Sequence, residues 1–248
     1  MSAVDAFEYD GPLLPVRFLA RPNRYLAQVD LNGRPVAAHV PNPGRMTELL
    51  VPGATRGWVV RADAPGRSTQ YDLVAVEHHG MRVSVDSRVA NRMVGRGLLS
   101  GRLREFGPGP WRSERSWGGS RFDFGVPGTR GGMRALVEVK SSNLRIGEYA
   151  SFPDAPTVRG TRHLEHLRHA ARRGIRAGVL FLIQRPDVRR FAPNGAMDPE
   201  FADALRRAAL SGVVLRAYTS LGSGRRVEWG SSVPVSLDNP PEPPSDNL

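Results

Sequence analysis

The chain has 248 residues, 40% hydrophobic and 24% charged, and its 35 lysines and arginines outnumber 24 acids for a formal charge of +11. No run nears the roughly 18 apolar residues of a membrane span, and the absence of cysteine excludes a disulfide framework or thiolate metal site. The expectation left is a soluble cytoplasmic protein with a polyanionic partner, nucleic acid ahead of a membrane surface.

The opening MSAVDAFEYDG is acidic and lacks the apolar stretch of a secretory signal. Residues 16–20 (VRFLA) read as a strand, and 24–40 as two more around Asn32-Gly33, a dipeptide favoured in hairpin turns. Residues 46–50 suggest one or two helical turns closed by Pro52-Gly53. Strands are expected at 58–62, 71–77 and 81–87, the last alternating Val83 and Val85 with polar neighbours. Five or six short strands with one small helix suit a barrel of the oligonucleotide-binding (OB) type, although other small barrels share the pattern. Residues 1–87 are assigned to it.

Residues 91–106 then read as a helix despite their glycines. Strands follow at 111–117, 121–126 and 135–141, then a helix at 161–173 stopped by Gly174. A strand at 177–184, a helix at 200–210 opened by Asp198-Pro199, and a strand at 213–220 complete the series. The order predicts a mixed sheet flanked by helices over 88–236. The Pro-rich residues 237–248 are expected to be a disordered tail.

The chain contains 34 arginines and a single lysine, Lys140. It lies in ALVEVKSS, which a glycine-rich turn separates from RFDFGV. Residues two apart on a strand share a face. With Phe122, Phe124, Val137 and Val139 on one buried face, Asp123, Glu138 and Lys140 converge on the other. A symmetric loop at 129–132 places Asp123 opposite Glu138. Two carboxylates suit a hard cation such as Mg²⁺ or Mn²⁺. An ammonium beside them can hold an attacking water or offset charge on a phosphoryl group. Lysine is a compact charge with a tunable pKa, whereas guanidinium is broad and keeps its proton. The plainer alternative is a solvated Glu-Lys pair worth at most about 1 kcal/mol.

These residues resemble the PD-(D/E)xK nuclease core. The whole chain resembles the bacterial and archaeal sugar fermentation stimulation (SfsA-type) family, through RPNRY, HVPNPGRM, TQYDLV, VDS, GSRFDF, VEVKS, FPDAPTVRG, HLEHL, LFLIQRPD and DPEF. The resemblance implies an N-terminal OB-type domain, a C-terminal nuclease-like domain and DNA binding. It makes Asp123 and Glu138 the metal-binding acids and Lys140 the catalytic lysine, with Glu114 or Glu105 as an additional acid. Arg121 and Gln184 become phosphate-contacting or supporting residues.

Arg24, Arg45, Arg67 and Tyr71, at loops or strand ends of the barrel, are expected to contact nucleic acid through backbone charge and base stacking. His163, His166 and His169 recur every three residues on one helix. A zinc set there is the weaker reading, and His163 is expected to neighbour the site. Asp154 and Arg159 read as parts of a structural Pro-rich turn. The function expected is a Mg²⁺-dependent phosphodiesterase acting on DNA, with RNA as the other polyanion. The alternative is a DNA-binding regulator of sugar metabolism on a vestigial nuclease scaffold. Nothing in the pattern fixes an oligomeric state; a homodimer is one option.

Overall fold

In the computed structural model, which describes residues 6–241, the chain opens with a two-residue strand, β1 (Phe7–Glu8). This strand pairs with the far end of the chain, so the barrel begins later than residue 1. β2 (Leu14–Asn23), β3 (Leu26–Leu31), β4 (Arg34–His39), β5 (Arg56–Arg61) and β6 (Tyr71–His78) pair in the order β4-β3-β2-β5-β6. Two further pairs, Ala38↔Tyr71 and His39↔Asp72, close the ring into the five-stranded OB barrel expected from the strand pattern. β7 (Met81–Ser84) extends it as a hairpin on β6. Alternation explains the filling: Val16 and Phe18, Ala27 and Val29 point inward onto Val59 and Leu73. The helix expected at 46–50 is only a turn, with the Leu49 and Leu50 amides both donating to the Met46 carbonyl at 3.1 and 3.0 Å. Met46 has φ 51, outside the helical region, and Pro52 stops the chain beyond.

Helix α1 (Arg88–Leu99) starts three residues earlier than expected and stops before Gly101, whose φ of 76 breaks it. Residues Arg104–Phe106 form a separate 3₁₀ turn. Then come β8 (Arg112–Trp117), β9 (Ser120–Pro127), β10 (Met133–Ser142), β11 (Leu144–Ile146), β12 (Tyr149–Phe152) and α2 (Val158–Arg172). β13 (Arg176–Ile183), β14 (Arg190–Pro193), α3 (Pro199–Leu210), β15 (Val214–Ser223) and β16 (Arg226–Val233) follow. A mixed seven-stranded sheet runs β1-β16-β15-β13-β10-β9-β8, parallel across β10, β13 and β15 and antiparallel elsewhere. Strands β11, β12 and β14 make a small second sheet. Neither it nor β16 is legible as a strand in the sequence pattern.

Both faces of the large sheet are covered. Val89, Met93 and Val94 of α1 pack with Val137, Val139 and Leu180, while Leu164 and Leu167 of α2 and Phe201 and Leu205 of α3 pack with Leu136, Val179 and Phe181. The expectation that Phe122 and Phe124 share a face is therefore corrected. Phe124 joins Val137 and Val139, whereas Phe122 lies with Leu136 under α2 and α3. The alternation rule holds only along a regular strand, and β9 leaves β10 at Asp123.

The tail is also corrected in part. Leu237 packs onto the α2–α3 side of the core and Asn239 Oδ1 accepts from the Gly195 amide at 3.0 Å; residues 242–248 lie outside the described residues. The barrel is tied to the sheet by the Ser84 amide donating to the Gln184 carbonyl (3.0 Å) and by Ser87 Oγ donating to the Pro41 carbonyl (2.7 Å). Among the described residues, no helix is long and apolar enough to cross a membrane.

Candidate active site

The expected register of the hairpin holds. Ala135↔Val126, Leu136↔Gly125 and Val137↔Phe124 pair as a symmetric loop requires, with a bulge at the mouth between Met133 and Ala135. The pairs end at Val137↔Phe124, one position short of Asp123 and Glu138. With β9 diverging, the Val139 amide is left without its strand partner, and Asp123 Oδ2 accepts from it at 2.8 Å. Asp123 Oδ1 accepts from Asn91 Nδ2 of α1 at 2.6 Å. Burial and, after it, the charge of Glu138 push the Asp123 carboxyl up to about 6.

Glu138 is buried. Its Oε1 accepts from Lys140 Nζ at 2.6 Å and lies 2.5 Å from His163 Nδ1, while its Oε2 is buried with no partner. Burial acts to raise this carboxyl, but Lys140 and His163 together hold it below the usual range. Arg159 Nε, a donor only, points at His163 Nε2 from 3.4 Å. With Nε2 facing that donor, Nδ1 is the atom that meets Glu138, which fixes the carboxylate's orientation. The side chain of Lys140 is 13% exposed, so the chain's one lysine is not a solvated surface residue.

Asp123, Glu138 and Lys140 open into a cleft of about 470 Å³ between sheet and barrel. The barrel contributes Arg24, Asn42 and Gly44, and the other wall includes Arg88, Asp154 and Arg159. Asp154, expected to be structural, lines the cleft against the barrel loop at Gly44. Burial pushes its carboxyl up. Gly44 is required opposite it, because a Cβ there would collide with the Asp154 carboxylate.

Other expected residues lie elsewhere. Glu114 stands across from Asp123 in the β8–β9 ladder, between Ser113↔Phe124 and Arg115↔Phe122. A φ of 54 accompanies its outward placement, and its exposed carboxylate pairs with Arg121 at 2.7 Å, so neither residue enters the cleft. Glu105 accepts from Tyr218 Oη at 2.8 Å, outside the cleft. Arg67 is bound to Asp72, Tyr71 packs on the barrel core, and Arg45 is exposed outside the cleft lining. Only Arg24 of the barrel candidates lines the cleft. Gln184 is buried behind it, donating from Nε2 to Ser141 Oγ (2.7 Å) and to the Asp86 carbonyl (2.8 Å). His166 contacts Ser120 Oγ at 2.7 Å and His169 is exposed, so the three histidines do not converge. Asn91 and Arg88 were not identified from sequence; nothing in a helix's first turn marks a residue that meets a strand 32 positions later.

Among the described residues, no group of three or more His, Cys, Asp or Glu side chains is arranged to hold a metal ion. Beside Lys140 the cleft offers the two carboxylates of Asp123 and Glu138, with Asp154 also lining it. That set suits a cation such as Mg²⁺, which binds through one or two carboxylates and keeps several waters, and the partnerless Glu138 Oε2 is an acceptor such an ion would satisfy.

Residues 88–223 match the model of the sugar fermentation stimulation protein RE domain, and residues 19–85 match the SfsA N-terminal OB domain. The chain belongs to the SfsA family. It is 40% identical over 214 residues to the sugar fermentation stimulation protein homolog of Alkaliphilus metalliredigens (strain QYMF), covering 86% of this chain and 91% of that protein. The homolog of Clostridium botulinum (strain Loch Maree / Type A3) is 40% identical over 232 residues, 92% of this chain and 95% of its own. A solved structure of Pyrococcus furiosus SfsA in complex with Ca²⁺ superposes with a TM-score of 0.83 at 32% identity, covering 93% of this chain and 98% of that one.

Proposed function

We propose that this SfsA-family chain is a phosphodiesterase acting on DNA, with Mg²⁺ or Mn²⁺ held by Asp123 and Glu138. The observation that carries the reading is the pair of half-buried Asp123 and buried Glu138, the latter with one partnerless oxygen, faced by the only lysine, in a cleft walled by Arg24, Arg88 and Arg159. The P. furiosus relative's complex with Ca²⁺, another hard oxygen-seeking cation, supports it. A bound divalent ion supplies Lewis acidity toward a phosphoryl oxygen and lowers the pKa of its water. The chain supplies the rest. The arginines of the cleft position the phosphodiester backbone, and His163 holds Glu138 in one orientation. The Lys140 ammonium stands where it can offset charge developing on the phosphoryl group. A guanidinium at this position would bring a broad planar group with five donors in place of one compact ammonium.

The test incubates the purified protein with labelled single-stranded DNA, duplex DNA and RNA in Mg²⁺, Mn²⁺ or EDTA, beside Lys140→Arg. Cleavage that needs the metal and falls at least 100-fold in the variant is expected. Binding of DNA with no metal-dependent cleavage would refute the enzyme and leave a DNA-binding regulator.

A further inference from the structure

The barrel carries a second cavity, of about 390 Å³, lined by Asn23, Tyr25, His39, Arg67 and Thr69. It is joined to the acid-lysine cleft in two ways. The first is covalent: Arg24 lines the cleft and Tyr25, the next residue in the same tight turn, lines this cavity. The second is an ionic relay. Arg88 of the cleft donates to Asp72 Oδ2 at 2.7 Å, and the other Asp72 oxygen binds Arg67 and lies 3.3 Å from His39 Nδ1, both of which line the second cavity. Two guanidiniums thus share one buried carboxylate, and Arg88 is held from its other side by Asp86 at 2.8 Å.

The turn is held rigidly. The Tyr25 amide donates to Asn23 Oδ1 at 2.9 Å, and its carbonyl accepts from the Val40 amide at 2.8 Å. The Arg21 guanidinium donates to the carbonyls of Arg24 (2.7 Å), Asn42 (3.1 Å) and Arg45 (2.6 Å). Tyr25 is nevertheless 49% exposed, with its ring nearly parallel to that of His39 at 21° and 6.4 Å between centroids. A fixed, exposed aromatic backed by a second ring, at the turn-and-loop end of a small barrel, is what an unstacked base needs. A base inside a duplex has both faces covered and cannot use it.

We propose that this cavity is a base-stacking subsite for single-stranded nucleic acid, with Tyr25 as the platform, whose backbone passes Arg24 into the acid-lysine cleft. The inference rests on the reading of that cleft as a phosphodiester site and narrows its substrate to an unpaired strand or end. Arg67, placed by sequence reasoning on a nucleic-acid surface, acts here by holding the cavity's shape through Asp72.

The experiment measures affinity of the full chain for fluorescein-labelled single-stranded DNA, single-stranded RNA and duplex DNA, in EDTA at fixed salt, for the native chain, Tyr25→Ala and Tyr25→Phe. Tyr25→Ala is expected to weaken single-strand binding about 5- to 100-fold, the range of one base-aromatic stack. Duplex binding should change less than 2-fold, and Tyr25→Phe should stay near native. Loss on the DNA strand, the RNA strand or both upholds the subsite and identifies its sugar. Unchanged single-strand affinity in Tyr25→Ala, or an equal loss on duplex, overturns it. Because affinity is read without metal, a native chain that never cleaves would sink the cleft reading alone and leave this comparison intact.

Discussion

The most severe test of the packing argument is Asp187→Ala. Arg185 is fully buried, and its Nε and Nη2 donate to the two Asp187 oxygens at 2.6 and 2.7 Å. Arg145 Nη1 reaches the same carboxylate at 2.9 Å, while Arg185 Nη1 donates to the Asn143 carbonyl at 3.1 Å. Removing Asp187 leaves a guanidinium in the interior with one backbone carbonyl and His78 for company. Breaking a buried pair from one side costs about 3–5 kcal/mol. Arg185→Met, which takes the charge away and keeps much of the volume, should cost distinctly less. Asn143 also donates to Met46 Sδ at 3.2 Å and lines the cleft, so the damage should reach the seam between barrel and sheet. Urea denaturation at pH 7 and at lower pH checks the magnitude. Burial acts to raise the Asp187 carboxyl, but Arg185 holds it below its ordinary 3.8. Its contribution is therefore complete above that value and is lost as pH falls through the lower folded value. The gap between native and variant should narrow only on that acid side. A loss under about 1 kcal/mol at pH 7, or Arg185→Met worse than Asp187→Ala, would refute the account.

Two further outcomes follow from the site. In EDTA, the stability of Asp123→Asn relative to the native protein should rise with pH up to 8. A constant cost offsets it, because the variant's amide nitrogen replaces one of the two oxygens that accept from Asn91 and Val139. The Asp123 carboxyl rises from its ordinary 3.8 to about 6, which at about 1.4 kcal/mol per pH unit amounts to at most about 3 kcal/mol against the ionised fold. The sign is that of a raised carboxyl: the folded state takes up its proton first, so the variant's relative stability should drop as pH falls from 6 toward 4. A difference independent of pH in chemical denaturation would contradict the burial argument. Gly44→Ala should cost about 1–3 kcal/mol through overpacking against Asp154. Gly11→Ala, whose new Cβ meets only Val60 Cγ2 at 3.7 Å, serves as the neutral control in the same melts.

Local pattern determined much of this protein. The five barrel strands, the three helices and the pairing of β9 with β10 follow from alternation, glycine turns and caps, each set by residues within a few positions of one another. The solitary Lys140 and the hairpin pairing that leads up to Asp123 and Glu138 were readable for the same reason, since one hairpin contains all three. The short β11, β12 and β14 have too few residues for a period to show. The parallel pairing of β12 with β14, residues about 40 apart, holds them in place. Tertiary structure alone decided that β1 joins the distant sheet, that Phe122 and Phe124 enter different cores, and that Glu114 turns away to Arg121. It also brought Arg88 and Asn91 of α1, His163 of α2 and Asp154 of the loop before α2 to the acid pair from three separate segments. A side chain's periodicity records which face of its own element it occupies, but not which other element that face will meet.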